Sequence, residues 1–115
     1  MSKSIKIIRG TTNTFDIVLQ DENGAFYRLQ EGETLRFGVK VSALWDEYKL
    51  LKTLTADNLN EAGTAYTLIL DPADTEGLSF MTYCYDVGLQ VGNDYYNVIP
   101  CSDFVVAHNI TEREV

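Results

Sequence analysis

Apolar and polar residues alternate in short runs along most of this chain, and Gly, Asn, Asp and Pro bound the runs. That is the pattern of half-buried β-strands. Phe15, Ile17 and Leu19 share one face, and Asp16, Val18 and Gln20 share the other. Asp21-Glu22-Asn23-Gly24 follows as a turn in which Asn23-Gly24 favours positive φ. Residues 25–29 resume in extended form, and Gln30-Glu31-Gly32-Glu33 turns again. The cleanest alternation sets Leu35, Phe37, Val39 and Val41 against Thr34, Arg36, Gly38 and Lys40. Residues 42–47 interrupt it, 48–55 predict a weaker strand, and 57–63 form a polar connection. Tyr66, Leu68 and Leu70 then alternate with Ala65, Thr67 and Ile69.

One stretch is helical. Asp71 stands at an N-cap position and Pro72 at N1, with Asp74 and Glu76 in the first turn and Gly77 as the stop. Residues 81–91 then predict a long strand with Met81, Tyr83, Tyr85, Val87, Leu89 and Val91 on one face. Its partner runs from about residue 95 to 107 across Gly92-Asn93-Asp94. Pro100 has no N–H for a ladder, so it marks a bulge or an edge. Residues 4–9 complete the set as a first strand. Seven or eight short strands and one helical turn over residues 72–77 predict an all-β sandwich or barrel. No repeat or linker divides the chain, so residues 4–107 read as one domain between an N-terminal tail, 1–3, and a polar, fraying C-terminal tail, 108–115.

Composition narrows the function. The chain has 115 residues, a usual length for one domain, with 9 Lys+Arg against 17 Asp+Glu and a net charge of −8. That acidic excess argues against nucleic acid, whose phosphates require cations, and against an anionic membrane surface. No apolar run approaches the ~18 residues of a membrane helix. The start, with charges among Ile5, Ile7 and Ile8, lacks the apolar core of a signal peptide, so synthesis in a cytosol is expected. In that setting the sequon Asn109-Ile110-Thr111 carries no glycan, and reduced thiols are the default for Cys84 and Cys101.

Catalytic candidates are few. The single histidine, His108, lies near a fraying end seven residues after Cys101, with nothing in the sequence to fix it as a base, so a solvated terminal histidine is expected. Cys84 and Cys101 do not have zinc-ligand spacing. Asp21-Glu22-Asn23-Gly24 has the start of a calcium loop but lacks the later Glu and the flanking helices. A small sandwich offers little room for the cleft that paired glycosidase carboxylates require. No catalytic residue, metal ligand or cofactor is therefore expected. With Gly92-Asn93 as a two-residue loop, opposed residues sum to 185 and Cys84 faces Cys101, whereas a slip of one residue puts them on opposite faces.

The aromatics carry the better hint. Tyr83 and Tyr85 have core parity, and a tyrosine at the start of that strand suits a corner hydrogen bond. Trp45 and Tyr48 lie in a polar interruption, and Tyr95 and Tyr96 follow a turn. These four are the interface candidates, because exposed Trp and Tyr are enriched at protein contacts and at sugar-stacking surfaces. The alternative is that they cap the ends of the sandwich.

The order of features resembles a known family, the immunoglobulin-like N-terminal domain of phage baseplate upper proteins and similar small prophage-encoded proteins. The matching residues are Arg9-Gly10, Thr14-Phe15-Asp16-Ile17-Val18-Leu19, Thr34-Leu35-Arg36-Phe37-Gly38-Val39-Lys40, Asp71-Pro72-Ala73-Asp74-Thr75, Tyr83-Cys84-Tyr85-Asp86-Val87 and Asp103-Phe104-Val105-Val106. The chain departs from the family at Phe80-Met81-Thr82 and at Cys101-Ser102, where glycine is usual. The resemblance implies an Ig-like antiparallel β-sandwich with its helical turn at the crossover between sheets. It also implies a noncatalytic structural role in a tail or baseplate, with other virion subunits as partners and homo-oligomerisation left open. Larger members carry a receptor-binding part after this domain, and none is expected here. The rival reading is a carbohydrate-binding or adhesin module that uses the same aromatics. On either reading the −8 is a solvated face that discourages premature pairing of sheet edges.

Overall fold

The computed structural model describes residues 4–108. The predicted N-terminal tail, most of the C-terminal tail and the sequon at Asn109 lie outside the described residues. Seven strands form among the described residues: β1 (Ile5–Ile8), β2 (Asn13–Ile17), β3 (Thr34–Lys40), β4 (Leu50–Leu54), β5 (Tyr66–Leu70), β6 (Thr82–Val91) and β7 (Asp94–Ala107). They make a five-stranded sheet in the order β1-β7-β6-β3-β4 and a two-stranded sheet, β2-β5. The alternation in the sequence decides which faces are hidden. Leu35, Phe37 and Val39 of β3 are essentially inaccessible, and they join Ile7, Ile17, Leu68, Leu70, Val87 and Phe104 in one apolar cluster drawn from both sheets.

The predicted helical turn forms as α1 (Pro72–Glu76), ending at Gly77. Asp74 Oδ2 accepts the Asp71 N–H at 2.7 Å and pairs with Lys52 Nζ at 2.8 Å, which ties the helix to β4. Thr75, fully buried, accepts the Gly10 N–H at 2.8 Å and so fixes the exit from β1. A 3-10 turn at Ala56–Asn58 occupies part of the expected polar connection.

Two expectations are corrected. The five-stranded sheet is mixed, not antiparallel throughout, because β1 runs parallel to β7 with Ile5 beside Phe104. These strands come from opposite ends of the chain, so no tight turn dictates their relative direction. Residues 25–29 do not form an eighth strand; only a Gln20–Phe26 bridge is made there. The backbone is satisfied otherwise, since the Leu29 N–H donates to the Tyr66 hydroxyl at 2.6 Å while Leu29 itself enters the core.

The β6–β7 hairpin fits its predicted turn, with Val91 opposite Asp94 and Gly92 at φ 59°. A glycine of positive φ followed by an ordinary residue is the type II′ pattern that suits the strand twist. Farther along, the register shifts on either side of Val87, and Pro100 sits in the irregular stretch where a bulge or edge is expected. Among the described residues no helix is long and apolar enough to cross a membrane.

Candidate functional site

The outer face of the five-stranded sheet carries the residues that neither core nor turns account for. On β3 the outward positions are Arg36, Gly38 and Lys40, and on β6 they are Cys84, Asp86 and Gly88. Gly38 lies opposite Asp86, and Arg36 opposite Gly88. Each glycine seats a tyrosine. A Cβ on Gly38 would come within 2.5 Å of Tyr48 Cε1, and a Cβ on Gly88 would collide with the Tyr95 ring. Glycine inside a strand is the means by which a sheet accepts such an approach.

Lys40 Nζ stands 4.6 Å from the Tyr48 ring centre, a cation–π contact. Gly38, Lys40, Tyr48, Cys84, Asp86 and Cys101 are among the residues around a recess of about 100 Å³. That is smaller than the ~300–1,000 Å³ of typical small-molecule sites. Burial pushes the Asp86 carboxyl above its ordinary range, opposed by Lys40. Burial also raises the Tyr95 phenol, helped by the charge of Asp86 and by Tyr48 and opposed by Arg36. The Cys101 thiol is raised first by the neighbouring Cys84 thiol, then by burial and by Asp86 and Asp103. These groups share one partly exposed surface on which Asp86 and Asp103 stand among Arg36 and Lys40.

All four aromatics predicted as interface residues are about half exposed: Trp45 49%, Tyr48 48%, Tyr95 51% and Tyr96 54%. They do not form one platform. Tyr48 and Tyr95 sit on the outer face, whereas Tyr96 pairs with Leu89 and points to the opposite side, where it lines a groove with Val18, Tyr27 and Val98. Trp45 belongs to the connection after β3, where its N–H donates to the Ser42 carbonyl at 3.1 Å. Asp86, Gly38 and Gly88 are the residues that the alternation alone passes over. The two glycines, each inside a strand run, are the signal that marks them.

The remaining chemical candidates find plain structural places. His108 is exposed but stacks on Phe80 at 3.6 Å, and the Arg9 guanidinium lies 4.0 Å from the same ring centre. His108 is thus exposed, as expected from sequence, with one ring face against Phe80. Cys101 and Ala107 belong to one strand, which puts His108 about 20 Å from that thiol, too far for a dyad. Asp21 Oδ1 accepts the N–H groups of Asn23 (2.9 Å) and Ala25 (3.0 Å), and the positive φ of this turn falls on Gly24. Among the described residues no group of three or more His, Cys, Asp and Glu is placed to hold a metal ion. Compared with known proteins, the chain matches no family model and no curated protein.

Proposed function

We propose that this chain is a noncatalytic phage or prophage structural protein, an Ig-like β-sandwich of the tail or baseplate that packs against other virion subunits. The observation that carries the reading is the grouping of strands. β3, β6 and β7 share one sheet while β2 pairs with β5, and the helix α1 lies on the crossover from β5 to β6. An immunoglobulin sandwich divides its corresponding strands in a similar way, which supports the reading. The Tyr83 hydroxyl at the start of β6 accepts the Ser79 N–H at 2.9 Å, a bond of the tyrosine-corner kind that supports the same reading. The sequence resemblance then supplies the virion role.

Contact with a neighbouring subunit goes through the outer face. Tyr48 and Tyr95 present apolar ring area over glycines, and rigid half-exposed tyrosines cost little entropy to bury. The test is to tag the chain in its native host, induce particles and analyse purified tails by mass spectrometry. The chain is expected in intact tails, and Tyr48→Ala with Tyr95→Ala reduces its incorporation. Complete tails without the chain overturn the reading, and selective glycan binding lost in the same variant replaces it with the carbohydrate-binding one.

A further inference from the structure

β7 is longer than the strand that covers it. β1 pairs with it only from Phe104 onward, so among the described residues no strand pairs with the outer edge of β7 at residues 94–103. The Val91–Asp94 pair closes a two-residue turn, and ladder bonds alternate from there. Tyr95 and Asn97 therefore turn their N–H and C=O groups away from β6 toward the open edge. Pro100, with no N–H, limits the pairing stretch to about residues 95–99, the length of an ordinary strand at ~5 residues.

A groove runs beside this edge. It has a volume of about 680 Å³ between residues 18–22 and the hairpin, and its apolar lining includes Val18, Leu19, Leu89 and Val98. Val18 and Val98 also line a second recess of about 260 Å³ that reaches Phe37 and Leu68. The charged residues along the two are Asp16, Asp21 and Glu22, with no Lys or Arg among the described lining residues. The chain as a whole carries −8, so a second copy meets like charge at this edge.

We infer that residues 95–99 accept an added β-strand from a partner protein, an extended segment that alternates apolar residues with Lys or Arg. Main-chain bonds to Tyr95 and Asn97 would supply the pairing, the apolar side chains would fill the groove, and the cations, on the opposite face of the strand, would be held by the outer-face Asp103 and by the longer-range acidic field of Asp21 and Glu22. This inference rests on the reading of the chain as a packing module and names the kind of segment that it binds.

The test uses the full isotope-labelled chain and a capped eight-residue peptide of alternating valine and lysine. Titration is expected to move the Tyr95 and Asn97 amide resonances and to slow their hydrogen exchange, and a valine–glutamate peptide is not expected to bind. Asn97→Pro removes an outward N–H without touching the β6 ladder, and is expected to weaken peptide binding at least tenfold at unchanged melting temperature. If that variant does not fold, Glu22→Lys, which leaves the backbone alone, is expected to weaken binding several-fold. No binding at millimolar peptide, shifts confined to the Tyr48 face, equal binding by every foldable variant, or self-association through the edge each overturns the inference. Peptide binding by a chain absent from tails removes the virion role alone. Undiminished tail incorporation of Asn97→Pro removes the strand addition alone.

Discussion

Cys84 and Cys101 lie on the same outer face and line one recess, across the irregular stretch of the β6–β7 ladder. Near the turn opposed residues sum to 185, as in Gln90 with Tyr95, but past the bulge Cys84 faces Asp103. Cys101 has moved by two positions relative to direct opposition. An even shift keeps it on the face of Cys84, where an odd one would have sent it through the sheet. The loop is the two-residue one that would set the cysteines in direct opposition, but the bulge beyond it shifts the register by two, an outcome that neither sequence alternative contained.

This pair is expected to oxidise within one molecule. Glutathione disulfide takes the two thiols to one Cys84–Cys101 disulfide and leaves as two glutathione thiols. Diagonal strand neighbours stand about 7–8 Å apart, at the limit of disulfide geometry, and the bulge supplies the backbone give that the bond needs. Thiol titration should fall to zero with no covalent dimer, and Cys84→Ser should leave Cys101 as a mixed disulfide. The raised Cys101 thiol makes its own alkylation slow at neutral pH, with a rate still climbing above pH ~8.5. Disulfide-linked dimers as the main product would show that the thiols do not reach each other.

Two tyrosine hydroxyls hold backbone in place, and their losses should differ. Tyr66 accepts the buried Leu29 N–H, so Tyr66→Phe strands a donor away from water and is expected to cost about 1–3 kcal/mol. Tyr83 accepts the N–H of Ser79, which is exposed, so water replaces the hydroxyl and Tyr83→Phe should cost about 0.5–1.5 kcal/mol. Urea unfolding at constant slope reads both. A larger loss for Tyr83→Phe would make the tyrosine corner, not the Leu29 anchor, the main constraint.

Asp86 sets a pH dependence. Burial raises its folded-state carboxyl above the ordinary 3.8, with Lys40 opposing. The fold therefore favours the protonated form. The stability it contributes is present below the ordinary carboxylate range and lost as pH rises through the folded-state value. Asp86→Asn should be close to neutral at acid pH and stabilising at pH 7, by less than about 1 kcal/mol because the site is partly hydrated. Thermal unfolding across that range checks the sign. Destabilisation at pH 7 would mean that attraction to Lys40 outweighs desolvation.

Much of the fold is legible where one face of a strand is buried and the neighbour is local. β3 reads directly from Leu35, Phe37 and Val39, and the hairpin from Gly92-Asn93. The parallel partnership of Ile5 with Phe104 does not, because nothing local ties two chain ends. Nor does the loss of a strand at residues 25–29, which turns on a hydroxyl 37 positions away from Leu29. The site was half legible. Tyr95 and Tyr96 are adjacent in one strand, so they face opposite sides, and the four aromatics could not have formed a single platform. The seating of Tyr48 and Tyr95 depends on Gly38 and Gly88, which alternation records only as outward positions.

Those glycines give the sharpest test of the outer face. In Gly88→Ala the new methyl occupies the space of the Tyr95 ring, and in Gly38→Ala it presses on Tyr48. An alanine stiffens the strand by up to about 1 kcal/mol relative to glycine, which offsets part of the lost ring contact, so both variants should fold with near-native melting temperatures. In Gly88→Ala the expelled Tyr95 regains water, and its raised phenol should fall back toward 10.0 in a spectrophotometric titration. Each ring then leaves the sheet surface and pays rotamer entropy on burial against a partner. Incorporation into tails should accordingly fall in both variants, as it does when the tyrosines themselves are removed. If Gly88→Ala assembles normally although the Tyr95 titration has moved, the seated ring is a cap on the sheet and the subunit contact lies elsewhere, at the open edge of β7.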